Sequence, residues 1–234
     1  MDDQRRDRLT RLVAECGTEP DRSALGRALC AAFLHVLPGA DGAALVLHGS
    51  GWAQELVGAS DTWSARLTEA QYTLGEGPGA EAAGTGQQVL AGDLSSEAVR
   101  WPAFASAAEA DGLSSVFVFP LRVGAIVLGT VALYGRRAHH LSGEAVADAA
   151  LLADLVTHAL LAQNERAGDE EQLRMDVSYH EVNMATGMLA AQLRVSLEDA
   201  FLRLRAHSFA AGRSVLDVAK DVLARRIPLD QLVD

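Results

Sequence analysis

Apolar residues recur along this chain with two periods, and the switches between them predict its elements. From Asp21 to Leu37 they fall at Leu25, Ala28, Leu29, Ala32, Phe33 and Val36, the spacing of one helix face, and Pro38-Gly39 ends the run. Asp41–His48 is a short apolar stretch bounded by glycine. Trp52–Gly58 follows across Gly49-Ser50-Gly51, and the pair predicts a β-hairpin. Thr62–Tyr72 returns to helical spacing. Tyr72–Leu94 holds a glycine-rich loop, then a small-residue helix at Ala80–Thr85 and a strand at Gln88–Ala91. Trp101–Asp111 predicts a further helix. Gly112–Leu121 and Val123–Tyr134 are long apolar strands meeting near Pro120–Gly124, with Arg122 at the tip and Gly129 marking a bulge.

The second half is helical throughout. Ser142 is placed as an N-cap, and Val146, Ala149, Leu152, Leu155 or Val156, and Ala159 or Leu160 form the stripe behind it. Polar residues Gln163–Gln172 interrupt the pattern. It resumes as Leu173, Val177, His180, Met184, Gly187 and Ala191, a heptad seam. The expectation is one long helix over Ser142–Leu193, or two joined near Gly168, paired with a second copy in a parallel homodimer. The competing reading has it fold back on its own N-terminal domain. Three short stripes then follow one another: Val182, Ala185, Leu189 and Leu193; Ala200, Phe201, Leu204 and Ser208; Val215, Val218, Ala219 and Val222. Ser196 and Ser214, each with an aspartate three residues on, read as N-caps, and Gly212 as the stop between the last two helices. Helices this short are marginal alone and must pack on one another.

The resulting plan is an α+β domain with an antiparallel sheet flanked by helices, a long coiled-coil-like helix, and an all-α three-helix module. The expected boundaries are 1–20 for a charged leader, helical or frayed at its start and solvated, 21–161 for the α+β domain, 142–180 for the connecting helix and 173–228 for the module. A length of 234 residues suits two domains, and 49% hydrophobic with 22% charged residues suits a soluble core. The first fifteen residues have no apolar signal region, and no uninterrupted apolar run reaches the ~18 residues of a membrane helix. The expectation is a cytoplasmic protein without a membrane partner.

Charge changes the picture once it is divided. The net charge is −11, but residues 1–171 carry 12 Lys+Arg against 23 Asp+Glu, whereas residues 172–226 carry 8 against 6. The acid lies in the first domain and the C-terminal module is mildly basic. Catalytic patterns point nowhere: Gly75-Glu76-Gly77-Pro78-Gly79 lacks the lysine and spacing of a phosphate loop, and no nucleophile elbow is present. Cys16 and Cys30 lack metal or redox spacing. His139-His140 has no third ligand at helical distance, so no metal is expected. The chain reads as a non-enzyme.

Two stretches carry resemblances. Ala185–Leu189 (ATGML), Glu198–Arg205 (EDAFLRLR) and Gly212–Ala219 (GRSVLDVA) resemble, in order, the ANTAR family of small three-helix RNA-binding domains found in bacterial antitermination regulators. Thr186 stands where many members carry Lys, and Ala190 where many carry Met. Leu74–Pro78 (LGEGP), Val89–Leu94 (VLAGDL) and Phe119–Val123 (FPLRV) resemble the GAF domains that precede ANTAR modules in actinobacteria. The resemblance implies a regulator that binds paired hairpins in leader RNA and prevents a terminator from forming. Off the apolar stripes, Thr186, Gln192, Arg203, Arg205, His207, Arg213, Ser214 and Lys220 are the candidate RNA contacts. Trp52, Trp63, Phe104 and Phe117 are candidate walls of a pocket for an unidentified small-molecule effector, with no cofactor certain. Leu173, Val177, His180 and Met184 are the candidate dimer seam. Some GAF-fold proteins are reductases with cysteines beside the pocket, which Cys16 and Cys30 do not match in position. A DNA-binding helix pair over Ser196–Arg226, or C-terminal helices that only dimerise, are the other readings.

Overall fold

The computed structural model describes residues 3–19, 21–49, 53–172, 179–228 and 232, with the backbone alone for 164–172. Helices α1 (Asp3–Cys16) and α2 (Arg22–Val36) lead into strands β1 (Gly42–His48) and β2 (Gln54–Ala59). Helices α3 (Thr62–Leu74) and α4 (Pro78–Thr85), strand β3 (Val89–Ala91) and helix α5 (Pro102–Ala110) follow. Strands β4 (Ser115–Val123) and β5 (Ile126–Gly135) complete a five-stranded antiparallel sheet of order β2-β1-β5-β4-β3. Helix α6 (Gly143–Gln172) leaves the sheet, and α7 (His180–Leu193), α8 (Leu197–Ala210) and α9 (Val215–Leu223) form the C-terminal bundle.

Strand alternation assigns the sheet's two faces. Phe117, Phe119, Leu121, Leu45, Val131 and Leu133 point to one side, where α1, α2 and the first half of α6 cover them. Val116, Val118, Ala44, Ala132 and Tyr134 point to the other, against Trp63 and Leu67 of α3 and Phe104 and Ala108 of α5. Two glycines set the close approaches. Gly26 of α2 lies on the backbone of Val57 and Gly58, where a side chain would collide, and Gly129 of β5 lies against the Val46 carbonyl.

Local capping explains the boundaries. Asp21 accepts from Ala24 N at 2.7 Å and Asp61 from Ser64 N at 2.8 Å, opening α2 and α3. Gly75 closes α3 with φ 71°. The carboxylate of Glu76 in the glycine-rich loop accepts from the N–H groups of Ala103 and Phe104 at 2.7 and 2.9 Å, so this loop caps the first turn of α5.

Three expectations are corrected. The N-terminal segment is a docked helix: Leu9 and Val13 are buried, and Arg5 pairs with Asp148 and with Glu144 of α6, at 3.1 Å to the latter. Its charges follow a helical period, which leaves one apolar edge for the core. The β4–β5 tip lies at Gly124, with φ 59°, and Arg122 pairs with Val127 within the ladder. The register shift falls between Leu121 and Arg122, opposite Val127–Gly129, so the bulge adjoins the predicted glycine. Finally, α6 runs through Gly168 without a break, and α7 starts at His180. The segment Gly143–Gln163 is long and apolar enough to cross a membrane, with mean hydropathy 1.6. Ala149, Leu152, Ala153 and Val156 of this segment are buried in the sheet's core.

Candidate nucleic-acid interface

The C-terminal bundle is built from capped, individually short helices. Ser196 accepts from Asp199 N at 3.0 Å and donates to the Asp199 carboxylate at 2.7 Å; Ser214 accepts from Asp217 N at 3.1 Å. Arg194 takes the left-handed conformation, φ 56°, that ends α7. Gly212, φ 63°, turns the chain between α8 and α9. Val182, Ala185, Leu189, Ala200, Phe201, Leu204, Val215, Val218 and Val222 meet in one core. Outside that core, Asp221 holds two guanidinium groups at once: Arg213 at 2.7 Å and Arg226 at 2.5 Å. These bonds lower the pKa of the Asp221 carboxyl, Arg213 contributing most. Two arginines fixed by one carboxylate, with exposed Lys220 beside it in sequence, make a cationic edge whose net charge is positive.

Among the described residues the α+β domain has a small cavity between β1, β5, α3 and α4. It holds about 30 Å³ and is lined by Val46, His48, Gln71, Tyr72, Thr130 and Tyr134 among others. A water occupies ~10–15 Å³ on such a measure, so the cavity takes one or two waters rather than an organic ligand as it stands. Part of its polar lining is already paired: Tyr134 OH lies 2.9 Å from Thr68 Oγ1 and 3.1 Å from Gln71 Nε2, and Gln71 Oε1 accepts from Gly79 N at 2.7 Å. Burial lowers the pKa of His48. No cysteine lines it. Cys30 is on the opposite face of the sheet, where its thiol contacts the Gly58 carbonyl at 3.5 Å and burial pushes its pKa up to about 12.

The GAF-domain family matches residues 19–161 and the ANTAR-domain family matches residues 174–223. The chain belongs to the GAF-domain family, with an ANTAR domain following. ANTAR modules are RNA-binding antitermination domains and GAF domains sense signals, so this is a regulator of that general kind. Among solved structures, the GAF domain of a phosphoenolpyruvate-protein phosphotransferase from Acinetobacter superposes with a TM-score of 0.54 at 14% identity, covering 72% of this chain and 99% of that one. The corresponding domain from Coxiella burnetii gives 0.54 at 15% identity, covering 71% and 99%. Free methionine-R-sulfoxide reductase from Neisseria meningitidis gives 0.52 at 14%, covering 69% and 91%. At these identities the likeness is one of fold alone. A comparison with curated proteins finds no match.

Against the GAF–ANTAR frame, the predicted RNA contacts separate into three groups. Gln192, Arg213 and Lys220 are exposed, and Arg203, His207 and Ser214 are half-buried. Ser214 is committed to its cap. Thr186 is a correction. It is fully buried, its hydroxyl donating to the Val182 carbonyl at 2.7 Å, because the α7 stripe facing its neighbours is wider than the predicted one and takes in position 186. Arg205 is the second correction. It points into the GAF domain, its Nε donating to the carbonyl of Thr73 at 3.1 Å. Asp221 and Arg226 were missed; the signal available was their placement one and six residues after Lys220 in a basic segment, with no motif to single them out.

The predicted pocket walls are also corrected. Trp63 and Phe104 are core residues on one face of the sheet, and Phe117 belongs to the other face, so the three cannot line one pocket. Trp52 lies outside the described residues. The aromatic wall is instead supplied by Tyr72 and Tyr134. For the dimer seam, Leu173 and Val177 lie outside the described residues, while His180 and Met184 are exposed on α7. Among the described residues no group of three or more His, Cys, Asp or Glu side chains could hold a metal ion.

Proposed function

We propose that this GAF–ANTAR protein acts as a homodimeric, signal-responsive antiterminator that binds paired hairpins in a leader RNA and keeps an overlapping terminator from forming. The observation that carries the reading is the Arg213–Asp221–Arg226 clamp at the start and end of α9, on a module otherwise held by an apolar core. Guanidinium groups fixed in orientation can contact phosphates and stack on the splayed bases of a hairpin loop. Gln192, His207 and Lys220 add hydrogen bonds and charge on the same module. The exposed face of α7, with His180, Met184 and Ala191 at heptad spacing, supports pairing with a second copy. The GAF domain is read as the sensor and not as an enzyme, a view supported by the ANTAR domain that follows it.

The test is fluorescence anisotropy of the full chain with a two-hairpin RNA, a scrambled RNA and a DNA duplex of equal charge, over a salt series. Tighter binding to the hairpins is expected at each salt concentration, with all three affinities rising as salt falls. Equal binding to all three, or tighter binding to duplex DNA, would replace the RNA reading with a DNA-binding one.

A further inference from the structure

The C-terminal module is docked on the GAF domain through the last turn of α3. Tyr72 stacks on Tyr179 at 4.3 Å between ring centroids and lies 5.4 Å from Phe201. Thr73 uses both of its oxygens: its carbonyl accepts from Arg205 Nε, and its hydroxyl accepts from Val215 N at 3.1 Å. Gly75, the next residue but one, leaves the space that the Arg205 guanidinium fills; a Cβ there would coincide with it. Thus a motif arginine of the RNA module and the first N–H of α9 are both consumed by one turn of the sensor.

We propose that this turn is a latch, and that the form seen here is the closed, RNA-silent state, with Arg205 as the bolt. The proposal rests on the RNA reading above and adds its regulation. Three features distinguish a latch from a permanent interface. First, Arg205 is half-buried against a carbonyl and over the Phe201 ring, 5.4 Å from its centroid, with no carboxylate partner among the described residues, an arrangement in which burial lowers its pKa and the cation regains hydration on release. Second, the seam leaves polar atoms unpaired. Glu69 Oε1, Tyr72 OH, Tyr179 OH and Asn183 Oδ1 are buried without a hydrogen-bond partner among the described residues, and opening hydrates all four. Third, Tyr72 both lines the GAF cavity and stacks on Tyr179. The cavity is too small for an organic ligand in this form, so an effector that enlarges it displaces Gln71 and Tyr72, the residues directly preceding Thr73. Sensing and release then share one helical turn.

The full chain tests this with Thr73→Val, which removes only the hydroxyl, and Gly75→Ala, which occupies the space of the guanidinium. Gly86→Ala is the control. It imposes the same left-handed strain, φ 66°, at a helix end whose nearest neighbour is Val127 rather than Arg205. Hydrogen exchange over residues 199–219 is expected to accelerate in both latch variants and not in the control. Affinity for the two-hairpin RNA is expected to rise by about tenfold in the same two proteins, since apparent affinity scales with the open fraction. Unchanged exchange in both variants overturns the latch. Faster exchange with unchanged RNA affinity overturns the silencing role. If neither wild type nor opened variants bind RNA, the RNA reading fails and the silencing with it, while the exchange result still decides whether the turn holds the module closed.

Discussion

Single side chains decide what the cationic edge can do. Arg213 and Arg226 converge on Asp221, so the carboxylate fixes their orientation while cancelling only one of two charges. Arg213→Ala is expected to weaken hairpin binding about five- to tenfold and to flatten its salt dependence by roughly one counterion, as loss of one phosphate contact would. Asp221→Asn is expected to act differently: charge rises but orientation is lost, so non-specific RNA binding gains on hairpin binding in the same anisotropy series. Thr186→Val, at a position whose hydroxyl is spent on its own helix, is expected to leave RNA affinity within about twofold. Cys30 supplies a pH signature. Its thiol stays protonated in the native protein up to about 12, against an ordinary value of 9.0. The unfolded chain therefore releases a proton first as pH rises, and the stabilisation held below pH 9 is lost progressively between 9 and 12. Urea unfolding at pH 9 and 10 is expected to show wild type losing about 1 kcal/mol more than Cys30→Ala over that unit. Equal losses would remove Cys30 from the account.

At the scale of elements, patterning and capping carried most of the fold. Helices with an aspartate or serine cap and a clean stripe, α2, α3, α8 and α9, start within a residue of their predicted positions. The strands were legible as apolar runs, but their ends were not: Arg122 sits inside the ladder because the bulge takes up the offset between Gly112–Leu121 and Val123–Tyr134. The docking of α1 was missed because charge dominates its composition while three residues, Leu9, Val13 and Cys16, form its buried edge. Leu9 is fully buried, so Leu9→Ala is expected to cost about 2–4 kcal/mol in chemical denaturation, where a solvated leader would cost nothing measurable. The pocket walls failed for another reason. Alternation along β4 sends Phe117 and Val118 to opposite faces, and sequence distance gives no view of which face α5 will cover. The Arg205 contact was beyond reach altogether, because it joins residues 132 apart through a packing choice that no local pattern records.

At the scale of the whole molecule, the sensor fold and the RNA module each hold one of two successive helices, α6 and α7, in their cores. The first half of α6 is core to the sheet, and α7 is core to the C-terminal bundle, so any reorientation of the module has a rigid base. The outward face of α7 has no such role. Met184 and Met188 are 47% and 38% exposed, and Gly187 between them has nothing within 4 Å of an added Cβ. Apolar surface in that pattern fits a second copy better than water. Met184→Glu is therefore expected to leave the monomer's stability nearly unchanged while shifting the sedimentation profile from dimer toward monomer. Two modules on one dimer also give avidity for two hairpins on one transcript, since the second contact forms at high effective concentration. The same variant should then lose its preference for the two-hairpin RNA over a single hairpin while keeping its affinity for the single one. A monomeric wild type, or a dimer indifferent to Met184→Glu, would move the pairing surface off α7; retained two-hairpin preference in a proven monomer would mean that one module reads both hairpins.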